Sequence, residues 1–249
     1  MPRITRRAFL QAASTAAAAP ALAAHAQTAS PPKASTARAY TFFNPQEAAL
    51  VEALVARLIP NDALGPGALE AEVPYYIDRQ LGGAWGAGER LYRAGPFAQG
   101  VPTQGYQLPY TPAELFRRAL RGANAELQQR GVSFAKLAPQ DQDAWIKGLS
   151  GEKRDFEGVP SNQFFESLLE VTIEGYFSDP AYGGNKDMAS WEMIGFPGAY
   201  ADYYDLVDQP DVQYRRKAMS LAENGRGQIH AHPPGPPAKP PSATAKKAS

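Results

Sequence analysis

The chain has 249 residues, with 25 basic and 25 acidic side chains, three histidines and no cysteine. The lack of cysteine excludes disulfides, thiolate metal sites, iron–sulfur ligation, covalent c-type haem attachment and a cysteine nucleophile. His25, His230 and His232 all lie towards the ends, so residues 40–229 hold no histidine, which removes a Ser-His-Asp triad and the usual zinc and copper sites and leaves carboxylate-only chemistry.

The first element is a leader. Arg3, Arg6 and Arg7 form a basic start, with Arg6 and Arg7 followed by Ala8, Phe9 and Leu10 in the pattern of a twin-arginine export signal. A weakly apolar run from residue 8 to 24 follows, and Ala24-His25-Ala26 offers the small side chains a signal peptidase requires. The run contains Gln11, Ser14, Thr15 and Pro20, and falls short of the roughly 20 strongly apolar residues of a spanning helix. Residues 1–26 are therefore expected to be a signal peptide that exports an already folded protein to the periplasm. Residues 27–39, small, polar and proline-containing, are expected to be a flexible leader.

Eight of the basic residues lie in these ends and in the C-terminal tail, so residues 40–230 hold seventeen cations against twenty-five carboxylates, a net charge of −8. That balance excludes a phosphate-neutralising surface for nucleic acid and disfavours anionic lipid.

Helical signals dominate the interior. Asn44-Pro45-Gln46-Glu47 sets a cap, a proline at the first helical position and a glutamate at the third. The apolar residues Leu50, Val51, Leu54, Val55, Leu58 and Ile59 then recur on one face, and Pro60 ends the helix. A second helix is expected over 68–81, kinked or restarted at Pro74. Residues 82–109 are too rich in glycine, proline and glutamine for regular structure, and a loop of that length is usually functional or wrapped on something. Thr111-Pro112-Ala113-Glu114 repeats the capping pattern ahead of Leu115, Phe116, Ala119, Leu120, Ala123 and Leu127, with Gly131 as terminator. A further helix is expected over 139–149.

From Ser161, the residues Phe164, Phe165, Leu168, Leu169, Val171, Thr172 and Tyr176 give an apolar face broad enough for a central helix contacted on more than one side. Alternating strand patterns are absent. The fold class is all-α: a compact multi-helix domain over 40–230 with long Gly/Pro-rich loops, a disordered N-terminal leader, and a disordered or polyproline-like tail at 231–249.

Three clusters are candidate sites. In Asp179-Pro180-Ala181-Tyr182-Gly183-Gly184-Asn185 the paired glycines permit an anion-binding nest, or else a tight turn capped by Asp179, and the absence of phosphate-loop spacing favours the turn. Trp191, Phe196 and Pro197 are either core plugs or aromatic anchors of an interface. Asp62, Glu70, Glu72 and Asp78 form an acidic cluster readable as a calcium site or carboxylate pair, but without EF-hand spacing it is expected to be solvated charge. No catalytic, cofactor-binding or metal-ligating residue is assigned.

The segment Asp179-Pro-Ala-Tyr-Gly-Gly-Asn-Lys-Asp-Met188, with Trp191-Glu-Met-Ile-Gly-Phe-Pro-Gly-Ala199, resembles the gluconate 2-dehydrogenase subunit 3 family, the small or gamma subunit of membrane-associated flavin-dependent sugar dehydrogenases. Leu58-Ile-Pro-Asn-Asp62, Val73-Pro-Tyr-Tyr-Ile-Asp78, Gly95-Pro-Phe97 and Glu174-Gly-Tyr-Phe177 add to an ordered similarity over about residues 42–204. The resemblance implies an accessory subunit that is not itself an enzyme. Its implied partners are a large flavoprotein carrying FAD, of the glucose-methanol-choline oxidoreductase type, and a cytochrome subunit carrying haem c. It also implies that the chain escorts a large subunit lacking its own signal, and touches the membrane only through the complex, at its periplasmic face. The partner-binding candidates are Tyr182, Asn185, Trp191, Phe196 and Pro197, and the export residues are Arg6, Arg7, Phe9, Leu10, Ala24 and Ala26. A periplasmic carbohydrate- or cation-binding module, or a catalytic protein in its own right, are the alternatives.

Overall fold

A computed structural model describes residues 39–98, 100–101, 104–151, 153–200, 208–209, 212 and 216–221. The export signal, all of the leader but Ala39, and the C-terminal tail lie outside the described residues. Six α-helices are described: α1 (Pro45–Leu58), α2 (Val73–Leu81), α3 (Pro112–Gln129), α4 (Pro139–Gly151), α5 (Ser161–Phe177) and α6 (Ala189–Ile194). A two-stranded hairpin, β1 (Asp155–Phe156) with β2 (Val159–Pro160), precedes α5. The mostly helical architecture agrees with the all-α expectation, and no described helix is long and apolar enough to cross a membrane.

Both capping boxes form as the sequence predicts. The Asn44 side chain accepts from the amides of Gln46 and Glu47, and Glu47 returns to the Asn44 amide at 3.0 Å. Thr111 and Glu114 repeat the exchange at 2.8 and 3.2 Å. Each cap satisfies two donors that a bare helix start leaves orphaned, a contribution of about 1 kcal/mol. The Thr111 amide, chief among the neighbours of Glu114, holds that carboxyl below its usual range. Gly131 ends α3 with φ +68°.

Helix α5 is the hub, touching each of the other five helices and β2. Phe164, Leu168, Val171, Thr172 and Tyr176 are buried along it. Phe164 meets Phe116 of α3 and Phe156 of the hairpin edge-on, with centroids 5.8 and 6.3 Å apart. At Gly175 the helix runs so close to α2 that a Cβ would lie 2.7 Å from the Tyr76 ring. Burying such side chains stabilises by roughly 1.5–3 kcal/mol each.

In the 68–81 segment the helix starts at Val73 with Pro74 in its first turn, the restart the sequence allowed, and Glu72 ahead of it is left-handed at φ 56°. One feature departs from the sequence reading. The carboxylate of Asp78, expected among solvated charge, is instead fully buried. It accepts from the amides of Thr41, Phe42 and Phe43 and from the Thr41 hydroxyl at 2.8–2.9 Å. These charge-assisted bonds tie the chain's entry segment to α2 and offset the cost of burying the carboxylate. Beside it Arg117 pairs with the buried Glu47 and covers the Phe42 ring at 3.8 Å.

Candidate functional site

Beyond α5 the chain turns through Asp179 and returns as α6. The first 3-10 turn, Pro180–Tyr182, is capped by Asp179, whose Oδ1 accepts the Ala181 amide at 2.8 Å. The same carboxylate receives the Ser220 hydroxyl and the Leu221 amide, each at 2.7 Å, and so fastens the segment arriving at 216–221. Gly183 follows with φ +112°, a conformation that side chains resist. The Tyr182 and Gly183 amides donate back to Asp179 and Pro180, and the Lys186 amide to Ala71. With those amides committed to carbonyls, the segment is the tight turn rather than an anion nest.

Asn185 is the keystone of the return. It is fully buried and left-handed at φ 46°. Its Nδ2 donates to the Ser178 carbonyl at 3.0 Å, and its Oδ1 accepts the Ser190 amide at 3.0 Å and the Ser190 hydroxyl at 2.7 Å. The side chain thus bridges the end of α5 to the start of α6. Trp191 adds a second clamp: it is buried, its Nε1 donates to the Phe177 carbonyl at 2.8 Å, and its ring meets Phe196 edge-on at 5.1 Å. Phe196 and Pro197 then lead to Gly198 and Ala199, where the Ala199 amide donates to Met219 at 2.8 Å and the Met219 amide to Pro197 at 3.0 Å.

Of the five predicted partner-binding residues, Asn185 and Trp191 therefore face inward and act as supports. Pro197 is half-buried, and Tyr182 and Phe196 stand at the surface, 51% and 46% exposed. The sequence reading missed their companions. Ile173 and Phe177 on the outer side of α5, with Met193 and Ile194 on α6, are exposed apolar side chains on the same clamped corner, Ile194 at 57%. The Tyr176 hydroxyl links the two helices, donating to the Pro66 carbonyl at 2.6 Å with Met193 Sδ at 3.9 Å. Exposed apolar side chains gathered on a rigid support are what a protein partner buries at the centre of an interface. Ile173 and Phe177, four apart, could have been found as a second apolar line beside the core face.

A groove of about 1380 Å³ runs along the exposed edge of α5. One wall is the long loop, presenting Trp85, Tyr92, Phe97, Tyr106 and Tyr110; the other is the polar edge of α5, with Glu166, Glu170 and Glu174. This is the 82–109 loop that the sequence marks as irregular, and its described residues carry no α-helix. Burial pushes Tyr106 up to about 12, aided by Glu114. Burial, then neighbouring Glu170, raises Glu174, and the 3.4 Å bond from the Tyr76 hydroxyl offsets this in part. Tyr76 in turn is pushed up to about 12 by burial and by Glu174.

The predicted acidic cluster does not assemble as one site. Glu72 pairs with Lys186 at 2.8 Å, Glu70 accepts from Asn61 at 3.3 Å, Asp62 accepts the Leu64 amide at 2.8 Å, and Asp78 is spent on the entry segment. Among the described residues no group of three His, Cys, Asp or Glu side chains is placed to hold a metal ion.

The family description for gluconate 2-dehydrogenase subunit 3 matches residues 45–198, from the first turn of α1 to the end of the clamped corner. The chain belongs to the gluconate 2-dehydrogenase subunit 3 family. Its match spans all six helices and both candidate surfaces. No curated protein and no solved structure matches the chain. As the family's name states, a subunit 3 protein is a component of a multi-subunit gluconate dehydrogenase, and hence of an oxidoreductase assembly.

Proposed function

We propose that this subunit 3 protein is the non-catalytic small subunit of a flavin-dependent sugar or polyol dehydrogenase, and that it escorts the large catalytic subunit through the twin-arginine pathway. The observation that carries the proposal is the clamped corner of α5 and α6, where Ile173, Phe177, Tyr182, Met193, Ile194 and Phe196 are offered outward on a support fixed by Asn185 and Trp191. The side chains presented on this corner are apolar and suited to burial against a partner.

In this reading the large flavoprotein brings FAD, a cytochrome subunit brings haem c, and this chain brings the leader and the docking face. Export of a folded complex on one signal explains why Arg6 and Arg7 precede a stretch, residues 40–229, without histidine or cysteine for haem or metal ligation. The periplasm is the destination. A stable assembly of this kind is expected to bury an interface of at least about 1,000 Å².

Co-expression with a large flavoprotein dehydrogenase subunit tests the proposal. The two are expected to co-purify, with flavin and dye-linked sugar oxidation residing in the large chain. Flavin and turnover in a preparation of this chain alone would overturn it.

A further inference from the structure

The groove beside α5 sets three carboxylates in a row. Glu166, Glu170 and Glu174 follow one another at four-residue spacing on an exposed helix edge. None forms an ion pair within the described residues, and like charges at this spacing repel. The groove's own cation, Arg93, is close enough to Glu114 to lower its pKa. The groove is also lined by the exposed rings of Trp85, Tyr92 and Phe97, while the Tyr110 ring is already covered by Arg118 at 4.6 Å. Aromatic rings beside acidic groups form the kind of surface that receives a proline-rich, basic, extended peptide, whose rings stack on the aromatics and whose cation meets the acids.

The chain supplies such a peptide itself. Residues 231–249 contain Pro234-Pro236-Pro237 and Lys239, then Lys246 and Lys247, and no acidic residue. We propose that this C-terminal tail lies in the groove as an intramolecular ligand, with its prolines against the aromatic wall and its lysines against Glu166, Glu170 and Glu174.

Geometry permits this. The last described residue, Leu221, is hydrogen-bonded to Asp179, two residues past the end of α5 and close to the Glu174 end of the row. The twelve residues from there to Pro233 span up to roughly 40 Å when extended. The stretch of α5 from Asn162 to Glu174 is about 18 Å long, and a polyproline stretch from Pro233 to Lys239 is about 19 Å. Tethering also relaxes the affinity required: at an effective concentration of about 1 mM, a free-peptide Kd near 100 µM would leave the groove roughly nine-tenths occupied.

Carbodiimide cross-linking of the purified full chain tests the contact, since it joins a lysine amine to a carboxylate only when the two are in contact. Mass spectrometry is expected to find Lys239, Lys246 or Lys247 joined to Glu166, Glu170 or Glu174 within a single monomer, at a yield independent of protein concentration. In the charge-reversed K239E/K246E/K247E/E166K/E170K protein, links of reversed polarity should join the substituted tail positions to positions 166 and 170. Tail links scattered over other carboxylates, no tail-to-groove links, or links whose yield rises with concentration and that join two copies would each overturn the assignment.

Discussion

Replacing Asn185 removes the side chain that joins the end of α5 to α6. The Asn185→Ala variant loses three hydrogen bonds, to the Ser178 carbonyl and the Ser190 amide and hydroxyl, each contributing about 1 kcal/mol net. Alanine must also hold the left-handed conformation at φ 46°, at a cost of roughly 1–2 kcal/mol in that region. The expected destabilisation is therefore about 4 kcal/mol. For a domain of this size, each kcal/mol moves Tm by roughly 2–4 °C if unfolding is global.

Asn185→Gly loses the same bonds without the backbone penalty. After allowing for glycine's greater freedom in the unfolded chain, it should be milder than alanine by about 0.5–1 kcal/mol. Calorimetry gives the global term, and hydrogen exchange at the Ser190 amide, whose acceptor is removed, gives the local one. If the alanine variant melts with the wild type and the Ser190 amide exchanges no faster, Asn185 is not the clamp. Alanine equalling or exceeding glycine would refute the backbone part of the account.

Ile194→Glu should change Tm by less than about 2 °C, since this side chain is 57% exposed, yet weaken co-purification with the large subunit at least ten-fold; a pull-down alongside a melting curve separates the two effects. Glu174→Gln should raise Tm at pH 7. Burial and Glu170 raise the folded-state pKa of Glu174, so its ionised form penalises the native state increasingly as pH rises above the unfolded value of about 4.3. The gain should vanish below about pH 4, where both states are protonated, and melting curves of the two proteins across pH 3.5–7 check the sign.

Much of the fold was legible because local chemistry and tertiary structure agree. Asn44-Pro45 and Thr111-Pro112 start helices where the capping pattern places them, and the broad apolar face of α5 belongs to a helix contacted on many sides. Pro74 marked the start of α2, but the left-handed Glu72 before it was not legible, since its residue type does not advertise that conformation. The hairpin escaped because its strands are two residues each, too short for alternation, with Glu157 and Gly158 both at positive φ in the turn. Asp78 was misread because residue type alone does not distinguish a solvated carboxylate from one surrounded by backbone amides. At the candidate site the sequence reading mixed supporting residues with surface ones. Aromatic and amide residues on a Gly/Pro-rich segment serve either role, and only burial separates Asn185 and Trp191 from Tyr182 and Phe196.

Cell fractionation after co-expression with the large flavoprotein, comparing the intact leader with the Arg6→Lys/Arg7→Lys leader, tests the escort role most directly. The account predicts that the intact leader carries both chains and the flavin to the periplasm, and that the lysine leader leaves both in the cytoplasm. Arrival of the flavoprotein in the periplasm at undiminished activity with the lysine leader, or with this chain omitted, would contradict it.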